Sequence, residues 1–126
     1  KAIGHSDGDV VLHSVIDALL GANAKGDIGK FFPPLKKYKN ISSIELLSKI
    51  KNKIDLDNSV IINLDITIIC QKIRLEKYKA PIKNNLSKLL KCNKNLINIK
   101  GKTADKIGIF GKSEAIGCWA TINLIN

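Results

Sequence analysis

The most constraining feature is the run His5-Ser6-Asp7-Gly8-Asp9-Val10-Val11-Leu12-His13, continued by Ser14-Val15-Ile16-Asp17-Ala18-Leu19-Leu20-Gly21. Both histidines of the chain lie in it, eight residues apart, among three aspartates. From Asp9 onward the apolar residues Leu12, Val15, Ile16, Leu19 and Leu20 recur at the spacing of one helical face. Ser6 followed three residues later by Asp9 is a capping-box pattern, which predicts a helix starting near Gly8. His5 and Ser6 are then expected in the leading loop, beside the free N–H groups of the first turn, where phosphate oxygens commonly bind. His13 and Asp17 stand at i and i+4, so they share a face and can meet. For any one of these residues a capped surface helix with a satisfied histidine is the better reading. Their concentration in one short stretch argues for a site.

The chain of 126 residues is expected to form one domain. No apolar run approaches the ~20 residues of a membrane helix, and no charged-then-apolar leader is visible. An opening at Lys1-Ala2-Ile3, without methionine, is expected of a fragment or a processed form. Cys70, Cys92 and Cys118 are odd in number and far apart, which argues against a disulfide framework or a thiolate zinc site and for a reducing compartment. The net charge of +10 invites a nucleic-acid reading. Against it, Arg74 is the only arginine, the lysines are scattered, and aromatic residues make up 5%, too few for a stacking platform. The abundance of Lys, Asn and Ile has the look of an AT-rich coding sequence, and part of the charge is available to steer a small anionic substrate.

Along the chain, residues 26–34 read as a Gly- and Pro-punctuated loop. Gly29-Lys30 lacks the glycine and hydroxyl of a P-loop, because Ala24 and Phe31 occupy those positions. Residues 36–40 form a basic loop. A second helix is predicted with Ser42 as N-cap, Glu45 completing a capping box, and Ile44, Leu47, Ile50 and Ile54 as its buried stripe. Residues 60–70 predict a strand in which Asn63, Asp65 and Thr67 alternate with inward-facing Ile62, Leu64, Ile66 and Ile68. Pro81 suits the first turn of a third helix with Ile82, Leu86, Leu89 and Leu90 on its core side. Residues 96–100 and 115–125 predict two further strands, with a turn over 101–108. The order implies a two-layer α/β (α+β) fold, a small mixed sheet with helices on one side.

Three polar clusters fall in loops beside these elements: His5 and Ser6 with His13, Asp27 to Gly29, and Lys102-Thr103-Ala104-Asp105. Taken alone, a zinc site at His13 lacks a third histidine. The segments His5 to His13, Asp17-Ala18-Leu19-Leu20-Gly21-Ala22, Gly26-Asp27-Ile28-Gly29-Lys30-Phe31-Phe32-Pro33, Asp65-Ile66-Thr67-Ile68-Ile69 and residues 100–108 nevertheless occur together and in order. In this the chain resembles the 2-C-methyl-D-erythritol 2,4-cyclodiphosphate synthases of the non-mevalonate isoprenoid pathway, over essentially its whole length.

The resemblance implies a homotrimer with sites between subunits. It also implies an intramolecular phosphoryl transfer in 4-diphosphocytidyl-2-C-methyl-D-erythritol 2-phosphate that releases CMP. By resemblance His5 and Thr103 are catalytic, and His5 and Ser6 contact phosphate. Asp27, Ile28 and Gly29 hold the erythritol end, and Phe32 is a further substrate-binding residue. Cys70, Gln71, Lys72, Ile73, Arg74, Leu75 and Glu76 form the cytidine pocket. Lys102, Thr103, Ala104 and Asp105 line the diphosphate, and Ile109 and Lys112 are further substrate-binding residues. His13 is implied as a Zn2+ ligand and Asp105 as the ligand of Mg2+ or Mn2+.

Residues 1–126 are expected to be one synthase domain lacking the family's first strand, whose Asp-x-His pair completes the zinc site. Further departures are Asp105 for the usual glutamate, Lys72-Ile73-Arg74 for a proline-containing segment, and Trp119 at a usually acidic position of the trimer's central cavity, near Lys112 and Glu114. Neither nucleic acid nor membrane is implied as a partner. An apicoplast-type plastid is expected from the AT-rich composition, with the bacterial cytoplasm as alternative. A basic nucleic-acid-binding module is the alternative from another functional class.

Overall fold

The computed structural model describes residues 5–70, 75–103 and 116–126, and for residues 5–7 the backbone alone. Seven elements build it: α1 (His5–Ala22), α2 (Ile28–Phe31), α3 (Ser43–Lys53), β1 (Val60–Ile69), α4 (Glu76–Leu90), β2 (Ile97–Lys102) and β3 (Gly117–Ile125). Single 3-10 turns at Lys36–Tyr38, Leu56–Asn58 and Lys94–Leu96 lie between them. The sheet order is β2-β1-β3, with β1 parallel to β2 and antiparallel to β3. This is the mixed α/β layering expected from the order of elements.

The core lies between one face of the sheet and the helices. Leu64, Ile66 and Ile68 of β1 meet Val15, Ile16, Leu19 and Leu20 of α1 and Leu47 and Ile50 of α3 in one buried cluster. Each such side chain contributes about 1.5–3 kcal/mol when removed from water. The opposite sheet face is open and carries Asn63, Asp65 and Thr67 together with exposed Trp119. There the Asn123 amide donates to Asn63 Oδ1 at 2.6 Å, and Lys100 Nζ and the Asn98 amide donate to Asp65 at 2.7 and 3.0 Å. The two hydrogen bonds from Lys100 and Asn98 hold the Asp65 carboxyl below its ordinary value.

Local details depart from the sequence expectations for physical reasons. Helix α1 begins at His5 rather than near Gly8, so His5 and Ser6 lie in its first turn and not in a leading loop. A helical glycine costs about 1 kcal/mol, little beside the burial of a continuous apolar face. In α3, Ser42 Oγ accepts the Glu45 N–H at 3.1 Å as predicted. The buried stripe is Ser43, Leu46, Leu47 and Ile50, while Ile44 is 58% exposed. Pro81 sits inside α4 rather than at its start. The helix runs back to Glu76 because buried Leu75 anchors its end and Glu76 pairs with Lys79 at 2.9 Å. In β1, a bulge between Ile61 and Asn63 leaves Ile62 unpaired and exposed and buries Ile61 instead. The loop at 26–34 contains the short α2, and the basic loop at 36–40 contains a 3-10 turn.

Candidate active site

Two regions carry the described site residues. The first is built on α1. His13 lies on its exposed side one turn before Asp17, as the i, i+4 spacing requires. Asp17 does not orient His13. Its Oδ1 accepts the Ile28 N–H at 2.9 Å and so ties α1 to the start of α2. Asp27, extended at φ −141 and ψ 178, caps the same short helix by accepting the Lys30 N–H at 3.1 Å. Two carboxylates thus satisfy the opening N–H groups of a four-residue helix that could not persist alone. Gly29 is exposed on this turn, between Asp27 and Phe32.

After α2 the chain folds back over itself. The Phe32 and Tyr38 rings meet edge to face, with centroids 5.2 Å apart and planes at 84°. Between this segment and α1 lies a cavity of 490 Å³. Its apolar walls come from Ile28, Phe32, Pro33, Pro34, Leu35 and Ile41, and its polar groups include His13, Lys36 and Lys39. That size and makeup suit a small organic ligand with a charged end.

The second region lies where parallel β1 and β2 end together. Ile69 pairs with Lys102, and the Cys70 N–H donates to the Lys102 carbonyl at 3.1 Å. Cys70 and Leu75 are buried, and Leu75 packs so closely on Gly101 that a Cβ there would come within 2.8 Å of Leu75 Cδ1. Glu76 opens α4, and Lys102 and Thr103 are exposed at the strand end. Carboxyl ends of parallel strands are a common location for ligands in α/β sheets.

The other predicted site residues lie partly or wholly beyond this description. The side chains of His5 and Ser6 lie outside the described residues, as do Gln71, Lys72, Ile73, Arg74, Ala104, Asp105, Ile109, Lys112 and Glu114. Trp119 is 56% exposed on the open sheet face. Sequence reading missed the cavity walls beyond Phe32 and the two lysines at 36 and 39; the signal was Pro33-Pro34 followed by a basic segment around one tyrosine. It also missed the role of Asp17.

All three cysteines are free thiols, as their spacing indicated. Ser14 Oγ lies 3.0 Å from Cys118 Sγ, and burial pushes the Cys118 thiol upward. Among the described residues no three His, Cys, Asp or Glu side chains gather to hold a metal ion. One exposed imidazole is not a zinc centre, so the described residues do not fit a complete one.

A sequence model of the YgbB family matches residues 1–125. The chain belongs to the YgbB family. It is 48% identical over 125 residues to the 2-C-methyl-D-erythritol 2,4-cyclodiphosphate synthase of Clostridium botulinum strain 657, covering 98% of this chain and 80% of that protein. It is 49% identical over 124 residues to the bifunctional enzyme IspD/IspF of Pelagibacter ubique, covering 98% of this chain and 33% of that one. The chain therefore corresponds to a third of the bifunctional relative.

Among solved structures, the bifunctional IspDF from Campylobacter jejuni superposes with a TM-score of 0.86 at 37% identity, over 96% of this chain and 33% of that one. The IspF of Plasmodium falciparum, solved as a CDP complex, superposes with a TM-score of 0.82 at 38% identity, over 97% and 74% of the two chains. The chain thus has the fold of these synthases and matches their cyclodiphosphate synthase part over nearly its whole length. Among its described residues no helix is long and apolar enough to cross a membrane.

Proposed function

We propose that this chain converts 4-diphosphocytidyl-2-C-methyl-D-erythritol 2-phosphate to 2-C-methyl-D-erythritol 2,4-cyclodiphosphate and CMP. The observation that carries the reading is the cavity beside His13: apolar walls, cationic polar groups, and a neighbouring turn at Asp27, Ile28 and Gly29 suited to hydroxyl groups. An oxygen of the 2-phosphate attacks the β-phosphorus. The new O–P bond closes the ring as the bond from the β-phosphorus to the bridging oxygen breaks, and CMP leaves with that oxygen. The protein's part is to hold the two phosphates in line and to stabilise charge on the oxygens.

Thr103, at the end of β2, donates a hydrogen bond to the reacting phosphoryl group in this scheme, and His5 and Ser6 at the start of α1 contact the other phosphate. The remaining substrate-contacting residues keep the roles the family resemblance implies, with residues 70–76 facing cytidine, 102–105 the diphosphate, and Ile109 and Lys112 as further contacts. Metal dependence belongs to the family. Of the implied ligands, this chain offers His13 for zinc and Asp105 for magnesium or manganese; the ions would neutralise phosphate charge. The cavity and the strand ends are read as halves of one site completed across neighbouring subunits of a homotrimer. The open sheet face is the surface left for subunit contact. The curated relatives named above are bacterial, which favours the bacterial cytoplasm as location and lends the plastid expectation no support.

The test is CMP release from the named substrate, followed by chromatography, with and without a chelator. Stoichiometric CMP and cyclic diphosphate, lost on chelation and restored by divalent metal, are expected. Absence of CMP in the presence of zinc and magnesium would contradict the reaction.

A further inference from the structure

The cavity beside His13 has a charge asymmetry that its fold creates. Lys36 and Lys39 line it, and among the described residues no carboxylate does. Of the acids next to lining residues or one turn after His13, Asp17 and Asp27 each accept a backbone N–H of α2, and Glu45, beside Leu46, is exposed and not itself in the lining. Other lysines here have partners: Lys37 Nζ stands 5.0 Å from the Tyr38 ring centroid, and Lys30 and Lys53 lie 5.8 and 5.3 Å from that of Phe31. Lys36 and Lys39 have neither a ring nor a carboxylate partner among the described residues.

Their placement follows from the local backbone. Lys36 opens the 3-10 turn Lys36–Tyr38 and Lys39 is its C-cap, with the Lys39 N–H donating to the Lys36 carbonyl at 3.2 Å. In a 3-10 turn, side chains at i and i+3 eclipse, so positions 36 and 39 present two ammonium groups on one side while 37 turns away toward Tyr38. The Phe32–Tyr38 contact fixes this turn over the cavity.

We propose that Lys36 and Lys39 form an anion clamp that captures a phosphate group of the substrate at the cavity and positions it beside His13. The ligand chemistry is a phosphate ester whose apolar carbon skeleton lies against Phe32 and Ile28. The clamp acts in capture and placement and not at the reacting phosphorus, so it raises kcat/KM chiefly through KM and makes that ratio fall with ionic strength. This proposal rests on the reading of the cavity as the substrate site.

The test compares the wild-type chain with Lys36→Ala/Lys39→Ala, with the conservative Lys36→Arg/Lys39→Arg, and with Lys49→Ala/Lys88→Ala, which removes equal charge from α3 and α4. Inorganic pyrophosphate is titrated at low salt while the Phe32, Tyr38 and His13 ring resonances are followed by NMR. Saturable shifts are expected in the wild type, the arginine pair and the α3/α4 control, with affinity at least ~10-fold weaker in the alanine pair. In turnover assays the alanine pair should raise KM ~10-fold, hold kcat within about twofold, and flatten the salt dependence of kcat/KM. Equal pyrophosphate affinity in the wild type and the alanine pair would overturn the clamp, as would equal losses in the α3/α4 control. No ring shifts in the wild type would overturn it as well. A clamp that binds pyrophosphate in a protein releasing no CMP would stand, and only the reaction would fall.

Discussion

The α1 cavity and the β1–β2 strand ends are built in opposite ways. Around the cavity, side chains define the geometry. Two aspartates pin a four-residue helix, an edge-to-face ring pair holds the following turn, and the open cleft between them has a volume of 490 Å³. At the strand ends the backbone defines it: the ladder from Leu64↔Ile97 to Ile69↔Lys102, extended by the Cys70 N–H bond, fixes where the chain leaves the sheet. The first region suits recognition of a small branched molecule. The second sets main-chain groups and the exposed Lys102 and Thr103 at fixed positions, suited to a diphosphate. A substrate with both a branched polyol end and a nucleotide end calls for both.

The contrast yields predictions that separate the regions. The largest effect is expected at His13. His13→Ala should lower CMP release by ~100-fold and leave melting nearly unchanged, because the side chain is exposed and holds nothing up. A melting shift without loss of turnover would make His13 merely structural. Next, Gly101→Ala should destabilise by about 1–3 kcal/mol, since the added methyl meets buried Leu75 at 2.8 Å. Pyrophosphate affinity at the α1 cavity should stay at its wild-type value; a parallel loss there would show that the regions are not independent.

Asp17→Ala should have a smaller effect, about 1 kcal/mol in thermal melting, from loss of the Ile28 N–H bond. It should raise KM more than it lowers kcat. The smallest effect concerns the open sheet face. The folded-state pKa of Asp65 is lowered, so its contribution is present above the unfolded carboxyl value and is lost as pH falls through the folded one. Wild type should therefore lose slightly more stability than Asp65→Asn as pH drops below about 4, measured by denaturant titration. Identical slopes for the two proteins would remove that contribution.

How far the sequence could be read follows the same division. Period-3.6 burial in α1 and the Ser42 cap of α3 were legible because each depends on residues within one or two turns. The inward set Leu64, Ile66 and Ile68 was legible because strand alternation is local. Ile62 was not, because the bulge that turns it outward depends on how β3 pairs with β1. Pro81 misled because the start of α4 is set by Leu75 packing on β2, a long-range contact that outweighs the preference of proline for a first turn. Spacing lets Asp17 meet His13, whereas an N–H eleven residues onward claims it. Residues 26–34 and 36–40 read as loops in the sequence, since they form a cleft wall only by folding back on α1.

The central claim is that the His13 region of one subunit works with the Thr103–Asp105 region of another. Complementation tests it most directly. His13→Ala and Asp105→Asn chains, each of low turnover alone, are refolded together in equal amounts and assayed for CMP release. Random mixing into trimers should leave about one quarter of the sites with both regions intact, and activity should recover toward that fraction of wild type. Activity no higher than the mean of the two separate variants, in a mixture shown by mass to contain mixed trimers, would place both regions in the site of a single chain and contradict the claim.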